Sequence, residues 1–274
     1  MYKRILYTVQ SLNLKKQIMP KEVLGRSLAY NCFLPRLSNT TFLQENLKHT
    51  KEPLYALYTN AKILDVSIQK KYLNVNFDKG YSCVFFNDYD LIDGQKYTEN
   101  IDYLSMIRRM MPAFVVHDSI FIDEYQILES AISGSDMIVI DMQYLNKYVE
   151  LLYILENKPE FLNCDIKIIS SQIDFITKKC NTINNKHKKT NSLKSHMDKL
   201  MMFAYNLGII PIVRVYGDKD LSLLHILENF PICIYADCNI AKFTLKDNII
   251  FANANMFKTG GLNSNNIDVF VFNN

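Results

Sequence analysis

The chain has 274 residues and a formal net charge of +3, with 49% hydrophobic and 22% charged residues. That balance is globular and excludes wholesale disorder and collagen-like repeats. No run of about 18 apolar residues occurs, so no membrane span is expected, and so small a charge does not by itself point to nucleic acid.

Residues 1–50 read as an N-terminal helical extension. From Met1 to Lys21 there are Lys3, Arg4, Lys15, Lys16 and Lys21 and no acid, while Ile5, Leu6, Val9 and Leu12 share a helical face. An organellar transit peptide has such a composition. The preferred reading is a helix docked over one end of the fold. Pro53–Tyr58 is a short apolar run, Val66–Gly80 has helix-compatible spacing, and Tyr81–Phe86 is a buried strand. Ile101–Met111 carries Leu104, Ile107 and Met111 at helical spacing and stops before Pro112. Ala113–Val116 is a strand. Asp123–Ser133 is a helix that opens on an acid and closes at Gly134. Met137–Ile140 is a strand and Leu145–Leu155 a helix. Residues 158–196 read as a less regular insertion, with a strand-like piece at Ile166–Ile169. A basic tract runs from Lys178 to Lys199, and its His187 and His196 are read as part of a solvated loop. Alternation resumes with a helix at Met197–Leu207 ended by Gly208 and a strand at Ile209–Val215. A helix at Leu221–Phe230 ended by Pro231 follows, then strands at Ile232–Ala236, Ile249–Ala252 and Ile267–Phe272.

Strands that are continuous apolar runs, separated by helices, are expected when both sheet faces are covered. The count fits a TIM (β/α)8 barrel over residues 51–274. A doubly wound open sheet competes, but no GxGxxG follows the first strand. Asn239 to Asn248 is too short for a full covering helix, so the late helices are expected to be shortened or missing. The strands left uncovered would need the 158–196 insertion, the leader or a second subunit over them, because burial contributes roughly 25 cal/mol per Å². The six cysteines, Cys32, Cys83, Cys164, Cys180, Cys233 and Cys238, lack metal-ligand spacing. Cys83 and Cys233 read as buried free thiols. A reducing, cytoplasmic setting is expected, with no metal and no cofactor.

The block Met110–Met142, MMPAFVVHDSIFIDEYQILESAISGSDMIVIDM, resembles the indole-3-glycerol-phosphate synthase pattern PvLrKDFiiDpYQi-eAr--GADaiLLI. The match is carried by Pro112, Asp118, Ile122, Asp123, Tyr125, Gln126, Ile127, Gly134 and Asp136, and the DxYQI element is its most specific part. Phe203–Leu221 resembles A--LGm--LVEVHdeeEL, Cys238–Phe243 resembles RNLKTF, and Thr40–Lys48 followed by YALYTNA resembles rsFkeAL followed by iAEIKkaS. The resemblance implies a barrel enzyme, a carbon–carbon lyase of tryptophan synthesis. Such an enzyme closes a ring, decarboxylates and dehydrates a phosphorylated substrate, using a lysine acid, carboxylates and a phosphate cradle.

Aligned on this family, the first-strand Glu and Lys fall on Leu57 and Thr59. The third-strand Lys falls on His117, next to Asp118. The fifth-strand Glu becomes Arg214, the sixth-strand NN lies near Ala236 and Asp237, and the seventh-strand SES lies near Ala252–Ala254. Losing one such group typically costs about a hundredfold to ten-thousandfold, so a degenerate member repurposed to bind a ligand or a protein is favoured. An active synthase would use His117 as acid and Asp118 or Asp237 as carboxylate. A third reading is a nucleic-acid module through Lys178–Lys199, which is disfavoured because no stacking aromatics interleave there. Asp141, Arg214, Gly260 and Gly261 are the candidate ligand-binding residues. Arg214, if buried, needs a carboxylate from Asp118, Asp141 or Asp237. The partners expected are a phosphorylated small molecule and a second copy of the chain, with no membrane.

Overall fold

In the computed structural model the apolar runs form strands β1 Leu54–Asn60, β2 Cys83–Asn87, β3 Phe114–Asp118, β4 Met137–Asp141, β5 Ile210–Val215, β6 Cys233–Ala236, β7 Ile249–Asn253 and β8 Val269–Asn273. Each strand pairs parallel with the next and β8 closes on β1, which makes the (β/α)8 TIM barrel. The helices are α1 Tyr2–Ile18, α2 Lys21–Arg26, α3 Tyr89–Asp93, α4 Asn100–Met110, α5 Glu124–Ile132, α6 Met142–Asn157, α7 Lys186–Asn206 and α8 Asp218–Leu224. The structure describes residues 1–31, 33, 36, 47, 54–64, 81–94, 100–157, 186–224, 233–237, 248–254 and 267–273. The expectations for Val66–Gly80, for residues 158–185 and for the short late helices therefore lie outside the described residues.

Side chains alternate across each strand, and the burial follows that period. One set fills the barrel interior: Ala56, Cys83, Phe85, Val116, Val139, Ile212, Cys233, Tyr235, Phe251 and Val271 among others. Phe85 meets Phe251 edge-on at 5.6 Å and Tyr235 at 5.7 Å, so aromatic rings plug the centre. A side chain of this size contributes about 1.5–3 kcal/mol on full burial. The alternate set packs outward on the helices: Val84, Phe86 and Val115 in one group, and Ile138, Ile140, Val213, Ile234 and Ile250 in another. The outward residues Ile234, Ile250 and Phe270 of the late strands are buried within the single chain.

Helix boundaries follow local chemistry. Asp123 accepts from Tyr125 N at 2.9 Å, while the Gln126 side chain accepts from Ile122 N at 2.9 Å and Asp123 N at 3.2 Å and donates to Ile120 O at 2.7 Å. This is a capping box that also fastens the β3–α5 loop. Gly134 and Gly208 end α5 and α7 with φ of 95° and 73°. Both glycines supply the left-handed residue that closes a helix. At Gly134 a Cβ would also crowd the side chains of Phe33 and Arg108, at 3.0–3.2 Å.

Two elements depart from the sequence reading. Helix α7 starts at Lys186, so the second part of the basic tract is helical and not loop. Its apolar stripe, Leu193, Met197, Leu200, Met201 and Ala204, is buried in the outer core, which secures the polar turns before it. His196 is accordingly not a solvated loop residue. It lies 2.8 Å from Ile122 O and against the Tyr148 ring, and burial lowers its pKa. Helix α3, one short turn after β2, was not anticipated.

The N-terminal segment crosses the rim at the C-terminal ends of the strands. Ile5, Leu6 and Val9 pack with Ile92, Ile120, Ile122 and Tyr144, which lie in the segments following β2, β3 and β4. Leu12 packs with Leu24, Tyr125 and Leu128. The basic residues of this segment meet acids: Arg4 pairs with Asp93 at 2.6 Å, Lys15 with Glu129 at 2.8 Å, Lys16 with Asp123 at 2.7 Å, and Lys21 with Glu124. At the opposite end of the barrel Asp136, fully buried, accepts from Val115 N at 2.9 Å and from the Arg36 guanidinium at 2.6 Å, and also pairs with Arg108.

Candidate functional site

Period-two alternation carries the last inward position of each strand to the C-terminal mouth, where barrels of this class place their chemistry. Asp118 ends β3 and faces inward, two residues after Val116. Arg214 on β5 follows Ile212 in the same way and reaches across. Its Nη1 and Nη2 donate to Asp118 at 3.1 and 2.7 Å, a two-point pair with both partners buried. Tyr58 of β1 donates its hydroxyl to the same carboxylate at 2.8 Å. The guanidinium lies over the Tyr235 ring at 4.4 Å.

Two more carboxylates flank this pair. Asp141, at the end of β4, lies 3.7 Å from Arg214 Nη1. It accepts from the Tyr216 hydroxyl at 2.5 Å and from Gln143 N and Tyr144 N at the start of α6. Asp237, next inward after Tyr235, lies 3.6 Å from Arg214 Nε. Three carboxylates and one guanidinium give the mouth a formal charge of −2 among the described residues. Burial raises the pKa of Asp141, against the pull of Tyr216 and Arg214. Burial likewise raises that of Asp237, against Arg214 and with the repulsion of Asp118 and Asp141. Burial works against the charge of Arg214, but Asp118 and the surrounding tyrosines hold its pKa well up. The hydroxyls of Tyr58, Tyr216 and Tyr235 are also pushed up, first by burial, so all three remain protonated donors at neutral pH.

The raised Asp237 pKa carries a stability consequence. An acid whose folded pKa lies above its unfolded value stabilises the fold below the unfolded value and loses that contribution as pH rises through the folded one. Asp237→Asn should therefore raise Tm at neutral pH, and the gain should shrink as pH falls through the raised folded value and be gone below about 4, the ordinary carboxylate value. Thermal melts of both proteins across this range check the sign.

His117 is not in the mouth. As the residue before Asp118 it points outward, buried under α5, with Nδ1 3.0 Å from Ser130 Oγ and Nε2 3.2 Å from the Asp88 carboxylate. The rings of Phe86 and Phe121 flank it. The reading of His117 as the third-strand acid is thus corrected by the strand's own alternation. Leu57 is likewise outward, and Ala56 and Tyr58 hold the inward positions of β1. Asp118, Asp141, Arg214 and Asp237 do converge, whereas Gly260 and Gly261 lie outside the described residues. Sequence reading missed Tyr58, Tyr216 and Tyr235, which the i, i+2 spacing could have placed, and Tyr89, which rides on α3. Among the described residues no group of three or more His, Cys, Asp or Glu side chains could hold a metal ion. No helix among them is long and apolar enough to cross a membrane.

A closed ring of parallel strands with polar side chains meeting at one rim defines a TIM-barrel protein with a candidate binding mouth. Within that class the chain is similar to indole-3-glycerol phosphate synthases. It is 30% identical over 139 residues to that of Campylobacter curvus, covering 48% of this chain and 51% of the relative. It is 29% identical over 138 residues to that of Campylobacter concisus, covering 48% and 50%. To that of Campylobacter hominis it is 23% identical over 208 residues, covering 70% and 74%. The chain thus spans about half the length of the first two of these relatives. No protein-family model matches it. Among solved structures, an HpcH/Hpal aldolase/citrate lyase family protein from Burkholderia cenocepacia superposes with a TM-score of 0.42 at 10% identity, covering 85% of this chain and 93% of that one. The barrel assignment stands on the strand pairing and not on that superposition.

Proposed function

We propose that this synthase-like barrel has lost the ring-closing reaction and works as a ligand-binding barrel. The observation that carries this reading is the exchange of charge between β3 and β5. Counted back from the Asp123-x-Tyr125-Gln126 element, the lysine of the family pattern falls on Asp118, not on His117. The fifth-strand glutamate of the pattern falls on Arg214. Base has become acid and acid has become base, and the two are bonded to each other. Asp118 accepts from the guanidinium and from the Tyr58 hydroxyl, so it stands here as an acceptor where the family pattern has a lysine donor, and Arg214 cannot replace a proton-shuttling carboxylate. The formal charge of −2 that the described residues give the mouth also opposes a substrate that carries both a phosphate and a carboxylate.

The test is direct. The protein is given the carboxyphenylamino-deoxyribulose phosphate substrate and indole glycerol phosphate is followed by fluorescence. No turnover above the substrate-only rate is expected. Turnover abolished by Asp118→Ala would establish a working synthase with a rearranged site and overturn the reading.

A further inference from the structure

The charge balance and hydrogen-bond inventory of the mouth restrict what it can hold. Asp118 is engaged on both oxygens by Arg214 and Tyr58. Asp141 is occupied on both oxygens by Tyr216 and by backbone amides of α6. Asp237 differs. Its side chain is 24% exposed, and its nearest cation among the described residues, Arg214 Nε, stands at 3.6 Å, beyond hydrogen-bonding range. Its charge therefore sits in a half-buried place next to two other carboxylates without a bonded counter-charge among the described residues.

Two buried donors at this end of the barrel lack a hydrogen-bond partner among the described residues. Arg214, 5% exposed, leaves its Nε–H unused, although its two terminal nitrogens are engaged. The Tyr89 hydroxyl, on the electrostatic fringe of Asp118, Asp141 and Arg214, is likewise buried and unbonded. Orphaned buried donors are costly and call for an acceptor oxygen. The surroundings thus ask for two things at once: positive charge beside Asp237 and Asp141, and uncharged oxygen beside Arg214 Nε and Tyr89. A phosphate offers the oxygen with the wrong charge. A simple alkylamine offers the charge without the oxygen. An amine on a polyhydroxylated chain offers both.

We propose that the mouth binds a small protonated amine flanked by hydroxyl groups, with its ammonium on Asp237, Asp141 behind it, and a hydroxyl oxygen on Arg214 Nε. The inference rests on the binding-barrel reading and names its ligand class. The probes are three molecules of one skeleton: 1-amino-1-deoxysorbitol, sorbitol and sorbitol 6-phosphate, titrated calorimetrically into the full chain at neutral pH. The amine should bind, and sorbitol should bind at least about tenfold more weakly, as expected for loss of one hydrogen bond to a charged group. Sorbitol 6-phosphate should be weakest. Asp237→Asn should weaken the amine about tenfold and leave sorbitol unchanged. Asp141→Asn, read the same way, serves if Asp237→Asn does not fold. No binding of the amine, binding of the phosphate as tight as the amine, or amine affinity unaltered in the folded variant would each overturn the proposal. The outcome is separable from the synthase assay: absent turnover with absent amine binding removes only the ligand class, whereas turnover removes the binding-barrel reading itself.

Discussion

Arg214→Met should cost about 3–5 kcal/mol of stability, the range for removing one partner of a buried ion pair. Methionine keeps much of the arginine's apolar stem, so the loss is mainly electrostatic. Among the described residues, Asp118 would keep only the Tyr58 hydroxyl on its side chain while remaining fully buried, and Asp141 and Asp237 would lose the cation nearest to each. Urea unfolding gives the number. The double variant Asp118→Leu/Arg214→Met should recover most of the loss, because a buried pair replaced by apolar side chains is often neutral or better. A double variant as unstable as Arg214→Met alone would show that the pair is not what Arg214 stabilises.

Asp136→Ala should have a loss of similar size, about 3–5 kcal/mol, at the other end of the barrel. The fully buried Asp136 carboxylate bonds the backbone of β3 through Val115 N and pairs with two arginines, Arg36 and Arg108. Arg36 also donates to Pro112 O at 3.0 Å and to Ala113 O at 2.6 Å, so the carboxylate and the β3 entry share one clasp. Asp136→Asn keeps an acceptor for Val115 N and should cost less than the alanine. Chemical denaturation of both variants, with equal m-values, checks that the change lies in stability and not in the unfolding transition.

Much of the barrel could be read from the sequence because its strands are enclosed on both faces. Runs such as Met137–Ile140 and Ile209–Val215 have no polar side to hide them, and Gly134 and Gly208 mark the helix ends. The face of each strand was harder to read. β3 is Phe-Val-Val-His-Asp, with three apolar residues before the polar pair, so nothing in the run itself states which of His117 and Asp118 turns inward. A one-residue slip inverts the answer. The Asp123-x-Tyr125-Gln126 element, most specific in the resemblance, proves to be a fastening device for the loop after β3. Its position fixes the count back to Asp118, which the proline at residue 112 does not. The need of Arg214 for a carboxylate followed from electrostatics alone, whereas the choice of Asp118 depended on distances across the barrel. The short helix α3 escaped because five residues are too few to show a helical period, and the leading turns of α7 because their sequence is polar.

The cationic leader has a counterpart in the barrel wall. Asp123, Glu124 and Glu129 crowd the flank of α5 and Asp93 closes α3, and each is matched by a base from residues 1–21. A protease that trimmed those residues would uncover an oily trench lined by Ile120, Ile122 and Tyr125, strip Asp93, Asp123 and Glu129 of the bases they pair with there, and leave Glu124 with Lys199 alone of its two lysines. The first turns of the chain are therefore masonry of the barrel's upper wall, and a shortened protein would emerge with its entrance unroofed and its flank self-repelling.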